Sequence, residues 1–186
     1  MRDLSGLSDM QLIDLVRSGD DQAFAAIVDR YEEQIARTVM GMLGDTDGAE
    51  DVGQETFIRF FRSIRKFRGD SALGTYLTRI AINLSLNELK KRNRFQSLFY
   101  QKGEDRETLE GPDKGNEYEA ADTKDLVEMA LQKLDPPFRA VVVLRLIDGY
   151  STKETAKILD VPVGTVLSRL ARAQKSLKEI LTPIIK

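Results

Sequence analysis

DVGQETFIRFFRSIRKFRGDSALGTYLTRIAINLSLNELKKRNR, residues 51–94, holds two amphipathic helices back to back around a turn at Phe67-Arg68-Gly69-Asp70-Ser71. In the first helix Gly53, Phe57, Phe60, Phe61, Ile64 and Phe67 recur on one side at helical spacing, which predicts a core face. The other side carries Asp51, Glu55, Ile58 and Arg62, with Gln54 and Arg59 at its edges. Ile58 is an apolar residue among charges on the face turned away from the core, the pattern of a docking point. In the second helix Leu73, Tyr76, Leu77, Ile80 and Leu84 form the core stripe, and Arg79, Asn83, Asn87, Lys90 and Arg94 form a separate line. That line is rich in donors and positive at its C-terminal end, which suits a nucleic-acid strand lying along the helix. Charged lines on helices are also the ordinary pattern of a solvated face, and for either helix alone that reading stays open.

The chain has 186 residues, 41% of them hydrophobic, enough for one sizeable core or two small ones. Its formal charge of −2 carries no global basicity, so the uneven local distribution is the informative part. Cysteine, histidine and tryptophan are all absent, which excludes disulfides, thiolate chemistry, the usual zinc sites and histidine acid/base catalysis. No cofactor and no metal site are expected. No N-terminal apolar run resembles a signal peptide and no stretch approaches the roughly 20 apolar residues of a membrane span, so a soluble cytoplasmic protein is expected.

From the N-terminus, Ser8-Asp9-Met10-Gln11 has the form of a capping box opening a short helix with Leu12, Ile13 and Val16 inward, ending by Gly19. Asp20 or Asp21 caps a longer helix with Phe24, Ile27, Val28, Tyr31, Ile35, Val39 and Met42 inward, closed by Gly44. The acidic loop Asp45-Thr46-Asp47-Gly48, followed by Glu50 and Asp51, lacks the remaining ligands of a calcium loop and reads as the cap of the next helix. Four helices with short connections predict a helical domain over residues 1–94.

Over residues 95–122 the periodicity dissolves into glycines, Pro112 and a run of acids that includes Glu104, Asp105, Glu107, Glu110, Asp113, Glu117 and Glu119. This reads as a flexible acidic linker, either a spacer held extended by its charge or a segment that enters a basic channel of a partner.

Residues 123–186 predict a second small helical domain. Thr123 caps a helix carrying Leu126, Val127, Ala130, Leu131 and Leu134, and Asp135-Pro136-Pro137 breaks the chain. The next helix has Phe138, Val141, Val142, Leu146 and Ile147 as its apolar residues and closes at Gly149. Ser151-Thr152-Lys153-Glu154 is a second capping box, opening a short helix with Ala156, Ile158 and Leu159 inward before a turn at Asp160-Val161-Pro162. The last helix runs from about Val163 into Leu181 with Val166, Leu170, Ala173, Leu177 and Ile180 inward, and its other side presents Thr165, Ser168, Arg169, Arg172 and Lys175. A short helix, a tight turn and a longer helix with a hydroxyl-and-arginine face is a helix-turn-helix, whose second helix enters the major groove. There Thr165 and Ser168 can bond phosphates or base edges, Arg169 and Arg172 can reach guanine or phosphate, and Lys175 meets the backbone. A plain helical hairpin with a basic solvent face is the alternative.

Four motifs in order, Asp51-Val52-Gly53-Gln54-Glu55-Thr56-Phe57, Phe67-Arg68-Gly69-Asp70-Ser71, Thr75-Tyr76-Leu77-Thr78-Arg79-Ile80-Ala81-Ile82-Asn83 and Pro162-Val163-Gly164-Thr165-Val166-Leu167-Ser168-Arg169-Leu170, resemble bacterial RNA polymerase sigma factors of the extracytoplasmic-function (ECF) group of the sigma-70 family. The resemblance spans nearly the whole chain apart from the acidic linker. It implies an all-α chain of two small domains, sigma2-like and sigma4-like, and a transcription initiation factor without catalytic residues. It also implies site roles. Asp51, Gln54, Glu55, Ile58, Arg59 and Arg62 would dock on the β′ clamp helices of core polymerase, whose β flap is a further contact. The loop with Phe67, Arg68, Gly69, Asp70 and Ser71 would hold a flipped-out base of the −10 element, flanked by Arg79, Asn83, Asn87 and Lys90. Thr165, Ser168, Arg169, Arg172 and Lys175 would read the −35 element as duplex, and the linker would thread toward the polymerase active centre. An anti-sigma protein is the expected inhibitor.

The chain departs from the family pattern at Tyr76, where tryptophan is usual, and at Leu167 and Gln174, where cations are frequent. The last two remove positive charge from the recognition helix, which points to weaker −35 binding or more reliance on DNA shape. Two other classes fit the residues less well. One is a regulator that binds duplex DNA without polymerase, and the other is a metal-dependent nuclease built on Asp45, Asp47, Glu50 and Asp51.

Overall fold

The computed structural model describes residues 4–100 and 123–184, so the acidic run from Glu104 to Glu119 lies outside the described residues. Among the described residues the fold is all-helical: α1 (Asp9–Arg17), α2 (Asp21–Leu43), α3 (Asp47–Ser63), α4 (Leu73–Tyr100), α5 (Thr123–Gln132), α6 (Pro136–Val142), α7 (Thr152–Leu159) and α8 (Val163–Leu181). A 3₁₀ turn, Ile64–Lys66, follows α3, and a π-helical turn, Val143–Ile147, follows α6.

Local chemistry sets most of these boundaries. Ser8 and Gln11 form the capping box of α1, with Ser8 N donating to Gln11 Oε1 at 2.8 Å, and Ser151 and Glu154 repeat it at α7. The Asp20 carboxylate accepts from Gln22 N and Ala23 N at 3.0 and 3.2 Å to start α2. Gly44, with φ +76°, ends that helix in a conformation that side-chain-bearing residues rarely adopt. At α3 the N-cap Thr46 makes no side-chain cap bond; instead Asp47 and Glu50 lie in the first turn, where negative charge complements the helix dipole.

The first unit packs α2 against α1, α3 and α4, around Phe60, Leu12, Ile13, Ile27, Ile35, Met42, Leu77 and Ile82, all fully buried. Each such side chain contributes roughly 1.5–3 kcal/mol through its removal from water. Phe60, Phe67 and Tyr76 meet edge-on at centroid distances of 5.1–6.3 Å.

Two expectations for α3 change. Phe61, expected in the core, is 47% exposed and rests edge-on against Phe24 at 4.9 Å. The buried stripe is Ala49, Val52, Thr56, Phe57 and Phe60, and Phe61, one turn on from Phe57, lies about 40° beyond its edge. Gly53, also expected in the core, is only partly covered. In α4, Thr78, Ala81 and Ile82 are fully buried besides the anticipated stripe, because α6 and α7 cover a further side of this helix. The helix also continues to Tyr100, past the Arg94 at which the periodicity reads as ending.

The second unit wraps α6 and α8 around Leu131, Leu134, Val142 and Ala173, with α7 and α8 joined through Ala156 and Val166. The π turn was not foreseen. It closes with Asp148 N donating to Val143 O, five residues back, at 2.9 Å. This extra residue turns Leu146 outward, 56% exposed, while Val143 and Leu144 go inward.

The two units pack against each other. Ala140, Val143, Leu144 and Ile158 of the second belong to the same buried cluster as Val39, Leu77 and Ile82 of the first. An ideal Cβ placed on Gly41 of α2 would come within 2.9 Å of a Val143 methyl, so the glycine permits this approach.

Candidate functional site

A partly buried polar network runs along the seam. The Thr38 hydroxyl donates to Asp148 Oδ2 at 2.9 Å, and Arg37 Nε lies 3.5 Å from Asp148 Oδ1. Gln34 Nε2 donates to Tyr150 Oη at 2.9 Å and to Thr78 Oγ1 at 3.1 Å, and the Thr78 and Tyr150 hydroxyls are 2.9 Å apart. The Asp148 side chain is 1% exposed, and burial pushes its carboxyl above the usual range against the opposing pull of Thr38 and Arg37. Arg145 fixes the turn that carries these groups by donating to the Tyr150 carbonyl.

Arg139 closes the seam at the other end. Its guanidinium donates to Met42 O at 2.6 Å, to Gln132 O and Oε1 at 2.5 and 2.6 Å, and to Leu134 O at 3.0 Å. The Met42 and Gln132 backbone carbonyls belong to the C-terminal ends of α2 and α5, where unpaired acceptors and the helix dipole both favour a cation, and Leu134 follows in the turn after α5. Desolvation lowers the Arg139 pKa.

The outer faces carry the residues singled out from the sequence. On α3, Asp51, Gln54, Ile58, Arg59 and Arg62 are exposed and Glu55 is half-buried, bonded to Arg59 Nε at 2.8 Å. They occupy one arc of the helix, and Ile58 is 43% exposed within it. In the loop after α3, Arg68, Gly69, Asp70 and Ser71 are exposed. The Phe67 ring is not, being buried against Phe60 and Tyr76, so the part of this loop open to a ligand is residues 68–71.

Arg17 of α1, given no role from the sequence, holds that loop. It donates from Nη2 to Phe67 O at 2.5 Å and from Nη2 and Nε to Ile64 O at 3.0 and 3.3 Å, while Nη1 pairs with Asp14 at 3.0 Å. Only its proximity to the helix C-terminus marked it, and a contact 50 residues away in the chain leaves no local pattern.

On α4, Asn83, Asn87 and Lys90 are exposed along one line with Arg79. Arg79 donates to the Lys157 carbonyl on α7, so the second unit caps the N-terminal end of this line. On α8, Ser168, Arg172 and Lys175 are exposed and Thr165 and Arg169 half-buried, within an arc of about 120°. Ser168 Oγ donates to Thr165 O at 3.1 Å, and Lys175 lies 3.9 Å from Glu179. Lys153 and Lys157 add exposed cations on α7. Asp45, Asp47, Glu50 and Asp51 do not gather as a ligand set, and among the described residues no group of three or more His, Cys, Asp or Glu does. Among those residues, too, no helix is long and apolar enough to cross a membrane.

This is the build of a two-unit helical DNA-binding protein: a bundle with a charged outer arc on α3 and a donor line on α4, joined to a helix-turn-helix with a basic outer face. Residues 27–95 match the family Sigma-70 region 2, and residues 124–177 match Sigma-70, region 4. The chain is 35% identical to the RNA polymerase sigma-H factor of Pseudomonas aeruginosa over 96% of each chain. It is 33% identical to the ECF RNA polymerase sigma-E factor of Escherichia coli K12 over 97% of each. The fold matches CnrH, solved in complex with the cytosolic domain of CnrY, with a TM-score of 0.67 at 24% identity, covering 94% of this chain and 97% of that one. It also matches the sigma factor RpoE of Bartonella quintana, solved with the anti-sigma factor NepR, with a TM-score of 0.66 at 24% identity over 86% and 96%.

The chain belongs to the ECF group of sigma-70 family RNA polymerase sigma factors. It is a promoter-specific transcription initiation factor, whose region 2 and region 4 domains bind core RNA polymerase and promoter DNA. Sigma factors are non-catalytic specificity subunits of that enzyme.

Proposed function

We propose that the outer faces divide the work of initiation as follows, with the exposed arc on α3 as the observation that carries the reading. Ile58 is an exposed apolar side chain among Asp51, Gln54, Glu55, Arg59 and Arg62, the composition of an interface centre with a polar rim, and it docks on the β′ clamp helices. Arg68, Gly69, Asp70 and Ser71, with the backbone of Phe67, receive an extruded base of the −10 element, and Asn83, Asn87 and Lys90 track the strand together with Arg79. Thr165, Ser168, Arg169, Arg172 and Lys175 engage the −35 duplex. Residues 1–94 act as the polymerase-docking and −10 unit, 95–122 as the linker and 123–186 as the −35 unit. The chain has no chemistry of its own and works in the cytoplasm.

The closed packing is incompatible with simultaneous use of both DNA faces. A compact chain of this length is about 40 Å across, whereas 25 base pairs between the two elements advance about 85 Å along the duplex. Fully extended, residues 101–122 reach about 75 Å, so the linker allows the units to separate. Promoter engagement therefore opens the seam and frees Arg79 from Lys157. An anti-sigma protein that covers the docking and DNA faces would hold the chain inactive, as a function analogous to the anti-sigma NepR bound to RpoE.

The test is abortive initiation by core polymerase on a randomised promoter library, with and without this protein. Protein-dependent products from a shared −35 and −10 pattern are expected, and Gln54→Ala with Ile58→Asp lowers them at least tenfold, the scale of losing one interface hot spot. Tight binding to duplex DNA without polymerase, and no products, would instead support a free-standing regulator.

A further inference from the structure

The helix-turn-helix presents two apolar side chains where polar ones are the simpler choice. Val163 and Leu167, four residues apart on α8, are 43% and 54% exposed. They lie on the flank of the helix between the buried Val166–Ala173 stripe and the outward Ser168 and Lys175. Between them Gly164 is exposed, and an ideal Cβ there would meet no atom within 4 Å. From Val163 to Ser168 the helix carries no charged residue; the cations begin at Arg169 and continue through Arg172 and Lys175.

We infer that Val163 and Leu167 read the 5-methyl groups of thymines in the major groove, and so make thymine at one or two −35 positions a specificity determinant. The inference rests on the proposed placement of α8 in the −35 duplex. The N-terminal residues of a recognition helix are those that reach base edges. The thymine methyl is the one apolar group on the major-groove edges of the four bases. A leucine laid against guanine or cytosine would cover donors and acceptors without pairing them, which is unfavourable, whereas against a thymine methyl it buries carbon on carbon. Gly164 lets the helix start approach closely, and the later cations hold the phosphates on either side of the groove. The occupant is therefore duplex DNA, because the pair is continuous with the basic face that marks the DNA-binding side. The loss of a cation at position 167 then changes which base is read rather than simply weakening binding.

The experiment uses holoenzyme formed from core polymerase and the full chain on a promoter recovered from the library. Each thymine of the −35 element is replaced singly by deoxyuridine, which removes only the methyl, and each cytosine by 5-methylcytosine, which adds one. At one or two positions uracil is expected to weaken promoter binding about fourfold, the scale of one buried methyl group. Leu167→Ala or Val163→Ala should erase the thymine–uracil difference at its own position while binding still depends on the rest of the element. Equal affinity for thymine and uracil at every position, or a difference that survives both alanine variants, overturns the inference. Equal affinity combined with weaker core binding by Leu167→Ala would reassign the pair to a polymerase contact. Failure of the wild-type holoenzyme on every promoter would instead overturn the promoter reading itself, and this inference with it.

Discussion

The polar groups of the seam and those of the outer faces are held by different things. Inside, Asp148 and Tyr150 of the second unit bond Thr38, Gln34 and Thr78 of the first, so these bonds form only when both units are in register. Outside, Arg59 bonds Glu55 one turn away and Ser168 bonds Thr165, contacts that a lone helix would also make. The seam is thus conditional on closure, and the α3 and α8 faces keep their support in either state, whereas Arg79 of the α4 line is taken up by Lys157 while the units are closed. Under the opening proposed for promoter engagement, the groups proposed for recognition on α3 and α8 keep the second kind of support and the switchable contacts the first.

The largest expected contrast is between two arginines. Arg139→Met removes a buried cation that satisfies four carbonyl bonds and should cost about 3–5 kcal/mol in urea unfolding. Arg59→Met on the outer face of α3 should stay within about 0.5 kcal/mol. Similar costs for both would erase the distinction between seam and face.

A smaller effect isolates closure from folding. Gly41→Ala forces a methyl against Val143 and should weaken the seam by about 1–3 kcal/mol while helix propensity at that position improves. Because the chain has no cysteine, one cysteine introduced on each unit gives a unique dye pair, and a longer inter-unit distance in Gly41→Ala is the expected reading. An unchanged distance would mean that the α2–Val143 approach does not control closure.

The smallest effect concerns protons. The Asp148 carboxyl is raised above its ordinary value of 3.8 by burial, facing Arg37 and Thr38 from α2 and Tyr150 from its own unit. The closed form then holds the proton more tightly than the open form. Its advantage is complete below the ordinary value and is lost as pH rises from there through the raised value. The dye pair should report progressive opening over that window, and Asp148→Asn should flatten the profile. A flat wild-type profile would show that Asp148 titrates alike in both forms.

How much could be read beforehand follows the range of the forces involved. The boundaries of α1, α2 and α7 come from serine–glutamine and serine–glutamate boxes, an aspartate cap and a glycine stop, all signals spanning four residues or fewer. The exposed arcs on α3, α4 and α8 come from the 3.6-residue period. Phe61 and Leu146 escaped for opposite reasons. Phe61 is an aromatic just past the edge of the buried stripe that finds a partner in Phe24 on another helix. Leu146 is displaced by a π turn that the apolar pattern around it does not announce. Arg17 acts on a loop 47 to 50 residues away, and no local pattern encodes that pairing.

The sequence by itself determined the all-helical class, the helix-turn-helix, the family and the exposed faces proposed for polymerase and DNA, because these depend on periodicity, caps and side-chain chemistry along single helices. Only the tertiary structure decided that the two units close on each other, that the Asp148 side chain is buried and Tyr150 half-buried between them, and that Arg79 is taken up by Lys157. Those contacts join groups 72 to 116 residues apart, and they form only after several helices have packed and excluded water between them.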